Sequence, residues 1–147
     1  MHTGETTISQ PTKPPSRVAA EQVMRLYVAA VLRGDLQSAY AFFAVDVVGH
    51  VPGRSALAGE LRGREAVIAY IERGRAVSHG AEVKLELVDM LSSEKRVMLL
   101  VYERFARASR VVEIRRANVY TVERGQIVEV RIFEADQYTV DELLRHA

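Results

Sequence analysis

The chain has 147 residues, a length that favours one domain around one hydrophobic core. Twenty Lys and Arg against 19 Asp and Glu leave a formal charge of +1, too small to attract nucleic acid or an anionic membrane surface. Cysteine is absent, which excludes disulfides, thiol nucleophiles and thiolate metal sites. No signal-like start and no apolar run of roughly 20 residues is visible, so we expect a cytoplasmic protein.

The first half of the chain has helical periodicity. Residues 1–16 are rich in Thr, Ser and Pro and predict a disordered tail before a domain spanning 17–147. An amphipathic helix follows from Arg17 to Gly34, and Asp35 caps a second helix that ends at about Ala44. The run 47–51 predicts a short strand, residues 52–63 a loop, and residues 64–73 a third helix.

The second half of the chain changes to the alternating period of strands. Four consecutive strands are predicted, starting at Val83 and followed by 96–106, 111–123 and 126–134. The spacing Thr139-Val140-Asp141-Glu142 is that of a capping box and starts a short terminal helix. Helices followed by an antiparallel meander indicate an α+β domain, a cone in which a curved sheet wraps over N-terminal helices and leaves a pocket at its open end.

Three segments of the sequence resemble a known family. They are MRLYVAAVLRGDLQSAYAFFAVDVVGHVPG, RSALAGELRGREAV and GQIVEVRIFEADQYTVDEL. These segments are similar to the SnoaL-like and ketosteroid-isomerase-like branch of the nuclear transport factor two-like superfamily, over nearly all of 17–144. The resemblance implies a cystatin-like cone and a homodimer that pairs through the outer face of the sheet.

The comparison with ketosteroid isomerases implies part of an oxyanion hole. Their helix-one tyrosine falls on Tyr27, and their strand aspartic acid falls close to Asn118, whose amide can still donate a hydrogen bond. Tyr120 shares a strand face with Asn118, so both are expected on the same side. The position of the catalytic base falls on Val51, which takes no proton, so this position supplies no base for the usual isomerisation route.

Other branches of the superfamily leave few carboxylates for catalysis. The acid/base aspartate of the polyketide cyclases falls on Ile132, and the nearest carboxylates are Glu134 and Asp136. The Asp-Arg-Asp network of the epoxide hydrolases would fall on 114–118, which contains no aspartate. Arg115 and its neighbours alternate with glutamates between residues 103 and 123, a mixture that is typical of a solvated sheet edge.

Because Val51 cannot act as a base, we consider the titratable residues near the cavity end of the strands as replacements. His50 precedes Val51 and is suited to proton transfer near neutrality, although strand alternation turns it to the opposite face unless a bulge intervenes. The alternative interpretation of His50 is a strand histidine bonded to a neighbour. Glu134 and Asp136 are the other candidates, and Asp136 has the alternative role of capping the segment after it. The scattered histidines show no metal-ligand spacing, so neither metal nor cofactor is expected.

The sequence is compatible with two functions of different class. The first is binding of a small apolar organic molecule in the cone, with Tyr27, Asn118, Tyr120 and Val51 as binding residues. Turnover would then be cofactor-free proton transfer of isomerase or cyclase type, with His50, Glu134 or Asp136 as catalytic group. The second is a non-catalytic module that binds a ligand or a protein and whose pocket is vestigial. Nucleic acid and membranes are not expected as partners.

Overall fold

The computed structural model describes residues 15–145, and within that range it contains four helices and six strands. In chain order they are α1 (Pro15–Leu32), α2 (Leu36–Tyr40), β1 (Phe43–Val51), β2 (Gly59–Arg62), α3 (Arg64–Ala76), β3 (Lys84–Ser92), β4 (Arg96–Arg107), β5 (Arg110–Glu123), β6 (Gln126–Glu134) and α4 (Gln137–Leu144). The expected tail falls mainly on residues 1–14, which lie outside the described range, while Pro15 and Ser16 already belong to α1.

The strands form one sheet in the order β2-β1-β6-β5-β4-β3. Neighbouring strands are antiparallel except β1 and β6, which are parallel. The pairing of β3 through β6 is the predicted meander, so the α+β prediction is confirmed. Register shifts interrupt the β1–β6, β3–β4 and β5–β6 pairs. Such bulges bend and twist a sheet, which allows this one to wrap around the helices.

The boundary between α2 and β1 differs from the prediction. The sequence placed the end of the second helix at about Ala44, but α2 ends at Tyr40 and the strand already starts at Phe43. The Phe43 side chain is 1% exposed, and its ring packs edge-on against that of Tyr27 with centroids 5.7 Å apart. Burial in the core therefore overrides the helical period of this short apolar run.

Strand β2 lies where the sequence predicted a loop. It pairs with β1 from Val48↔Arg62 to Val51↔Gly59, and three of its four residues are exposed. Only Leu61 of its four residues is turned inward. The segment is therefore too short to show, in the sequence, the alternation of apolar and polar residues that is typical of a strand. This short, charged strand ends one edge of the sheet, a usual way to limit pairing with other chains.

The core lies between the concave face of the sheet and helices α1 and α3. The alternation of the long strands directs one side chain in two toward the helices. Fully or almost fully buried residues of this core include Met24, Ala30, Phe43, Val47, Val97, Leu99 and Ile127. None of the helices in the described segment is long and apolar enough to cross a membrane.

Helix α4 covers the open end of the cone. Val140 and Leu144 pack with Leu57, Phe105 and Ile114 in a second apolar cluster. The N-cap is Asp136, which accepts a hydrogen bond of 3.1 Å from the Thr139 backbone N–H. The helix start predicted at Thr139 is therefore wrong. The helix is capped three residues earlier by Asp136, for which the sequence offered capping as the alternative role.

Candidate functional site

The candidate site is a cavity of ≈ 200 Å³ enclosed by the sheet, α1, α3 and α4. Most of its wall is apolar, and polar side chains reach it from strands β1, β4 and β5 and from helices α1 and α3, which contributes Tyr70 and Arg75. On β5, alternation brings Arg116, Asn118 and Tyr120 to the same concave face. Apolar wall residues are Phe43, Val51, Leu61, Val67, Ile71, Val77, Phe105, Ile114, Val130, Ile132, Val140, Leu143 and Leu144.

Two tyrosines and one asparagine lie together in the wall. Asn118 Nδ2 donates to the Tyr120 hydroxyl at 3.4 Å, and the Tyr27 and Tyr120 side chains are in contact, with ring centroids 5.7 Å apart. Burial raises the pKa of Tyr27 well above its usual value. Burial also raises the pKa of Tyr120, although the hydrogen bond from Asn118 opposes this. Both phenols are therefore neutral near pH 7, and Tyr120 retains its own proton for donation.

The carbonyl half of the Asn118 side-chain amide, the buried Oδ1 atom, makes no hydrogen bond to the described residues. An unpartnered buried acceptor costs free energy, and native proteins leave few of them. An unpartnered acceptor and a neutral hydroxyl thus belong to neighbouring residues of the wall of an apolar cavity. The sequence predicted an amide donor at Asn118, but the structure uses the donor in the bond to Tyr120 and leaves the acceptor without a partner.

A charged triad adjoins the amide. Arg116 Nε donates a hydrogen bond to Glu134 Oε2 at 3.2 Å. The same nitrogen is 3.1 Å from Glu134 Oε1, but without the geometry of a hydrogen bond. Arg116 Nη1 is 3.8 Å from Glu103 Oε2. The Glu134 side chain is 2% exposed, and burial raises its pKa against the opposing effect of Arg116. Arg116 and Glu103 belong to the cavity wall, and Glu134 lies behind Arg116.

Five of the seven predicted site residues line the cavity, the four predicted binding residues and His50. Tyr27, Asn118, Tyr120 and Val51 all line the cavity, and Tyr120 and Asn118 lie on one face as expected. Glu134 reaches the site indirectly, through its ion pair with Arg116. The roles of these residues in binding or catalysis stay predictions.

The remaining two catalytic candidates are bonded to neighbours outside the polar group of the cavity. His50 contributes to the wall, but its Nε2 is 3.3 Å from Glu129 Oε2, and alternation directs the imidazole to the face opposite Val51. Asp136 is outside the wall, and hydrogen bonds from the Thr139 hydroxyl and N–H hold its pKa below the usual range. This geometry favours the alternative interpretation of each residue, a bonded strand histidine and a helix cap.

The sequence interpretation missed Glu103 and Arg116. Both were assigned to a solvated sheet edge, and that assignment is wrong for them, although it holds for Glu113 and Arg115 on the outer face. The signal that could have found them is the alternation of inward and outward residues along each strand. Glu103 is in phase with the apolar residues of β4, and Arg116 is in phase with Ile114, Asn118 and Tyr120.

The residues of the site do not form a metal-ligand set. Between residues 15 and 145, no three His, Asp or Glu side chains are grouped closely enough to hold a metal ion. The polar groups of the residues that line the cavity are hydroxyl, amide, guanidinium, carboxylate and imidazole groups, and they suit hydrogen bonding and proton transfer.

Comparisons with known proteins agree with this architecture. Residues 24–130 match the family model described as the SnoaL-like domain. An uncharacterized protein of Mycobacterium tuberculosis is 37% identical over 115 residues, 78% of this chain and 87% of the relative. The structure of Bal32a, from a soil-derived mobile gene cassette, has a TM-score of 0.78 at 27% identity and covers 88% of this chain and 99% of its own. A putative SnoaL-like polyketide cyclase from Jannaschia sp. CCS1 shares the fold, with a TM-score of 0.71 at 15% identity over 94% of this chain and 99% of its own.

Proposed function

The chain belongs to the SnoaL-like domain family, as its sequence resemblance predicted, and from that premise we propose that the cavity binds a small, mostly apolar organic molecule through one polar group. The observation that carries this proposal is the unpartnered Asn118 Oδ1 beside the Tyr120 hydroxyl in an apolar wall. Apolar pockets with a few convergent polar groups are the usual form of ligand sites.

The polar group of the ligand is best matched by a hydroxyl or the enol form of a ketone. Its O–H donates a hydrogen bond to Asn118 Oδ1, and its oxygen accepts a hydrogen bond from the Tyr120 hydroxyl. This exchange satisfies a buried acceptor that otherwise costs about 1–3 kcal/mol. The apolar remainder of the ligand then gains about 25 cal/mol for each Å² that leaves water.

The reaction that this site supports is proton transfer of the isomerase or cyclase type. Glu103 is the carboxylate in the wall, so we assign it the removal of a proton from the carbon next to the carbonyl. The neutral Tyr120 phenol stabilises the resulting enolate oxygen. Glu134, whose pKa is raised by burial, holds Arg116 and serves as a positioning residue. The putative polyketide cyclase that shares the fold is consistent with such chemistry.

Binding is tested by calorimetric titration with 2-naphthol, which presents one hydroxyl on a compact apolar body. We expect saturable binding to the wild type and a loss of about tenfold or more in Asn118→Leu, which removes the open acceptor. Thr121→Val, on the opposite face of β5, is the matched control and should bind as the wild type does. Absence of binding, or equal binding in all three proteins, would overturn the proposal.

Turnover is tested with 2-tetralone in deuterated water, since proton removal next to the carbonyl exchanges hydrogen for deuterium. We expect the wild type to accelerate exchange and Glu103→Gln to lose most of the acceleration, about 100-fold or more. Glu113→Gln, on the outer face near Glu103, is the control. Binding without accelerated exchange would identify the chain as a non-catalytic binding module, the alternative function for this sequence.

We also propose that two copies of the chain pair through the outer face of the sheet. That face carries adjacent apolar side chains at the register pairs Met98↔Val119, Leu100↔Ala117 and Ala117↔Phe133. Phe133 is 51% exposed, although large aromatic side chains favour burial. An apolar patch of contiguous strands is typical of an interaction surface.

A further inference from the structure

A second cavity lies on the other side of the polar groups. Its volume is ≈ 560 Å³, larger than that of the first, and it extends between α1, the end of α3 and strands β3 and β4. Its wall is apolar for most of its length, with Val28 and Val31 from α1 facing Leu87, Leu99 and Val101 from the sheet. None of these five residues lines the first cavity.

The two cavities meet at the polar groups of the candidate site. Tyr27, Asn118 and Tyr120 line both of them, as do Glu103 and Arg116. The open Asn118 acceptor therefore lies at a junction, with apolar space on either side. A ligand that fills only the first cavity would leave the larger one unused.

We propose that the site takes an elongated molecule that carries its hydroxyl or enol part-way along an apolar chain. The polar group lies at the junction, the shorter arm enters the cavity under α4, and the longer arm enters the larger cavity. This inference rests on the proposed binding function, and it specifies the substrate class as alcohols or enolisable ketones with two apolar arms.

A series of alcohols with one constant arm separates the two cavities. Heptan-1-ol, octan-2-ol, nonan-3-ol and decan-4-ol all present a hexyl arm, and their second arm grows from none to three carbons. If the second arm enters its own cavity, each added carbon strengthens binding by about fourfold, the factor for one buried methylene group. Decan-1-ol, an isomer of decan-4-ol, corrects for general hydrophobicity and should bind more weakly than its isomer.

Two variants each fill one cavity. Ile132 lines only the smaller cavity and Val101 only the larger one. We expect Ile132→Phe to abolish the gain along the series while heptan-1-ol binds as before, and Val101→Phe to weaken all four alcohols. Leu143→Phe, which also narrows only the smaller cavity from the accessible helix α4, replaces Ile132→Phe if that variant fails to fold.

The outcomes distinguish this inference from the proposed function. If decan-4-ol binds no more tightly than heptan-1-ol or decan-1-ol, or if no alcohol binds, the two-armed ligand is wrong. In that case, binding of 2-naphthol that is lost in Asn118→Leu leaves the proposed function standing. Failure of both 2-naphthol and the alcohols to bind overturns both.

Discussion

Arg116 connects two carboxylates of unequal exposure on the concave face of the sheet. Glu134 is nearly inaccessible behind it, whereas Glu103 is 20% exposed at the cavity wall. One guanidinium thus balances two acids, and the more buried acid has a raised pKa because desolvation outweighs the attraction to Arg116. A carboxyl group that resists ionisation makes the stability of the fold depend on pH.

We expect Glu134 to favour the folded state most at low pH. Its pKa is higher in the folded chain than its ordinary value of 4.5, so the native state binds the proton more tightly than the unfolded state does. This contribution is fully present below about pH 4.5 and is lost as the pH rises through the folded pKa.

Urea unfolding of wild type and Glu134→Gln at a series of pH values measures this contribution. The free energy of unfolding of the wild type, relative to the variant, should fall as the pH rises, because glutamine cannot ionise. Glu123→Gln, at the exposed end of the same strand as Arg116, is the control for a general change in charge. A constant difference between wild type and Glu134→Gln would contradict the burial argument.

The tyrosine hydroxyls are expected to differ in their contribution to stability. Tyr27→Phe removes one donor but keeps the packed ring, at a cost of about 1 kcal/mol. Tyr120→Phe also removes the acceptor of the Asn118 Nδ2 hydrogen bond, so a second polar group loses its partner, and the cost should exceed that of Tyr27→Phe by about 1 kcal/mol or more. Chemical unfolding measures both. Tyr138→Phe is the control because Tyr138 is 91% exposed, and equal losses in the two buried variants would contradict a contribution from the Asn118–Tyr120 hydrogen bond.

At the scale of elements, α4 is fastened to the turn after β1. The carboxylate of Asp141 accepts from the Arg54 N–H at 3.1 Å, and Gln137 Nε2 donates to Pro52 O at 3.5 Å. Gly53 lies between these contacts with a φ of 98°. A Cβ at this position would overlap the Asp141 and Gln137 side chains, so glycine is needed both for its backbone conformation and for the approach of the helix.

Gly53→Ala should therefore destabilise the fold more than an alanine at a comparable glycine. Gly59→Ala is the matched control, since Gly59 has a φ of 119° and no atom lies within 4 Å of the position of its Cβ. We expect about 1–2 kcal/mol of backbone strain in both variants and about 1–3 kcal/mol more in Gly53→Ala from the broken hydrogen bonds. Thermal and urea unfolding measure the difference, and equal losses would show that α4 does not depend on this turn.

The sequence predicts elements well where period and length are strong. Strand β6 has the predicted bounds, Gln126–Glu134, and β4 and β5 differ by one residue at one end. The prediction failed at Phe43, where burial in the core favours a strand although the spacing of apolar residues favours a helix. It also failed in β2, a strand too short to show the alternation of apolar and polar residues. The candidate site divides in the same way: Tyr27, Asn118 and Tyr120 followed from strand alternation and family resemblance, whereas Glu103 was hidden because its charge suggested solvent.

At the scale of the whole molecule, the concave face of the sheet lines the cavity and its outer face carries an apolar patch. Inward residues of β5 supply the polar groups of the cavity, and outward residues of the same strand form part of the apolar patch. Because the period of a strand is two, neighbouring residues such as Asn118 and Val119 serve different surfaces. A substitution on the outer face can therefore test assembly while the cavity wall keeps its residues.

We expect Phe133→Glu to prevent the proposed pairing and leave a monomer. A carboxylate in the middle of an apolar interface is desolvated on assembly, and it appears twice because both copies carry it. The dissociation constant should rise by about 30-fold or more, the loss typical of an interface hot spot. Light scattering coupled to size exclusion gives the mass. Tyr138→Glu, an equally drastic change on the exposed side of α4, should stay dimeric, and 2-naphthol binding should persist in both variants. A wild type that is monomeric at high concentration, or a Phe133→Glu variant that stays dimeric, would exclude pairing through this face.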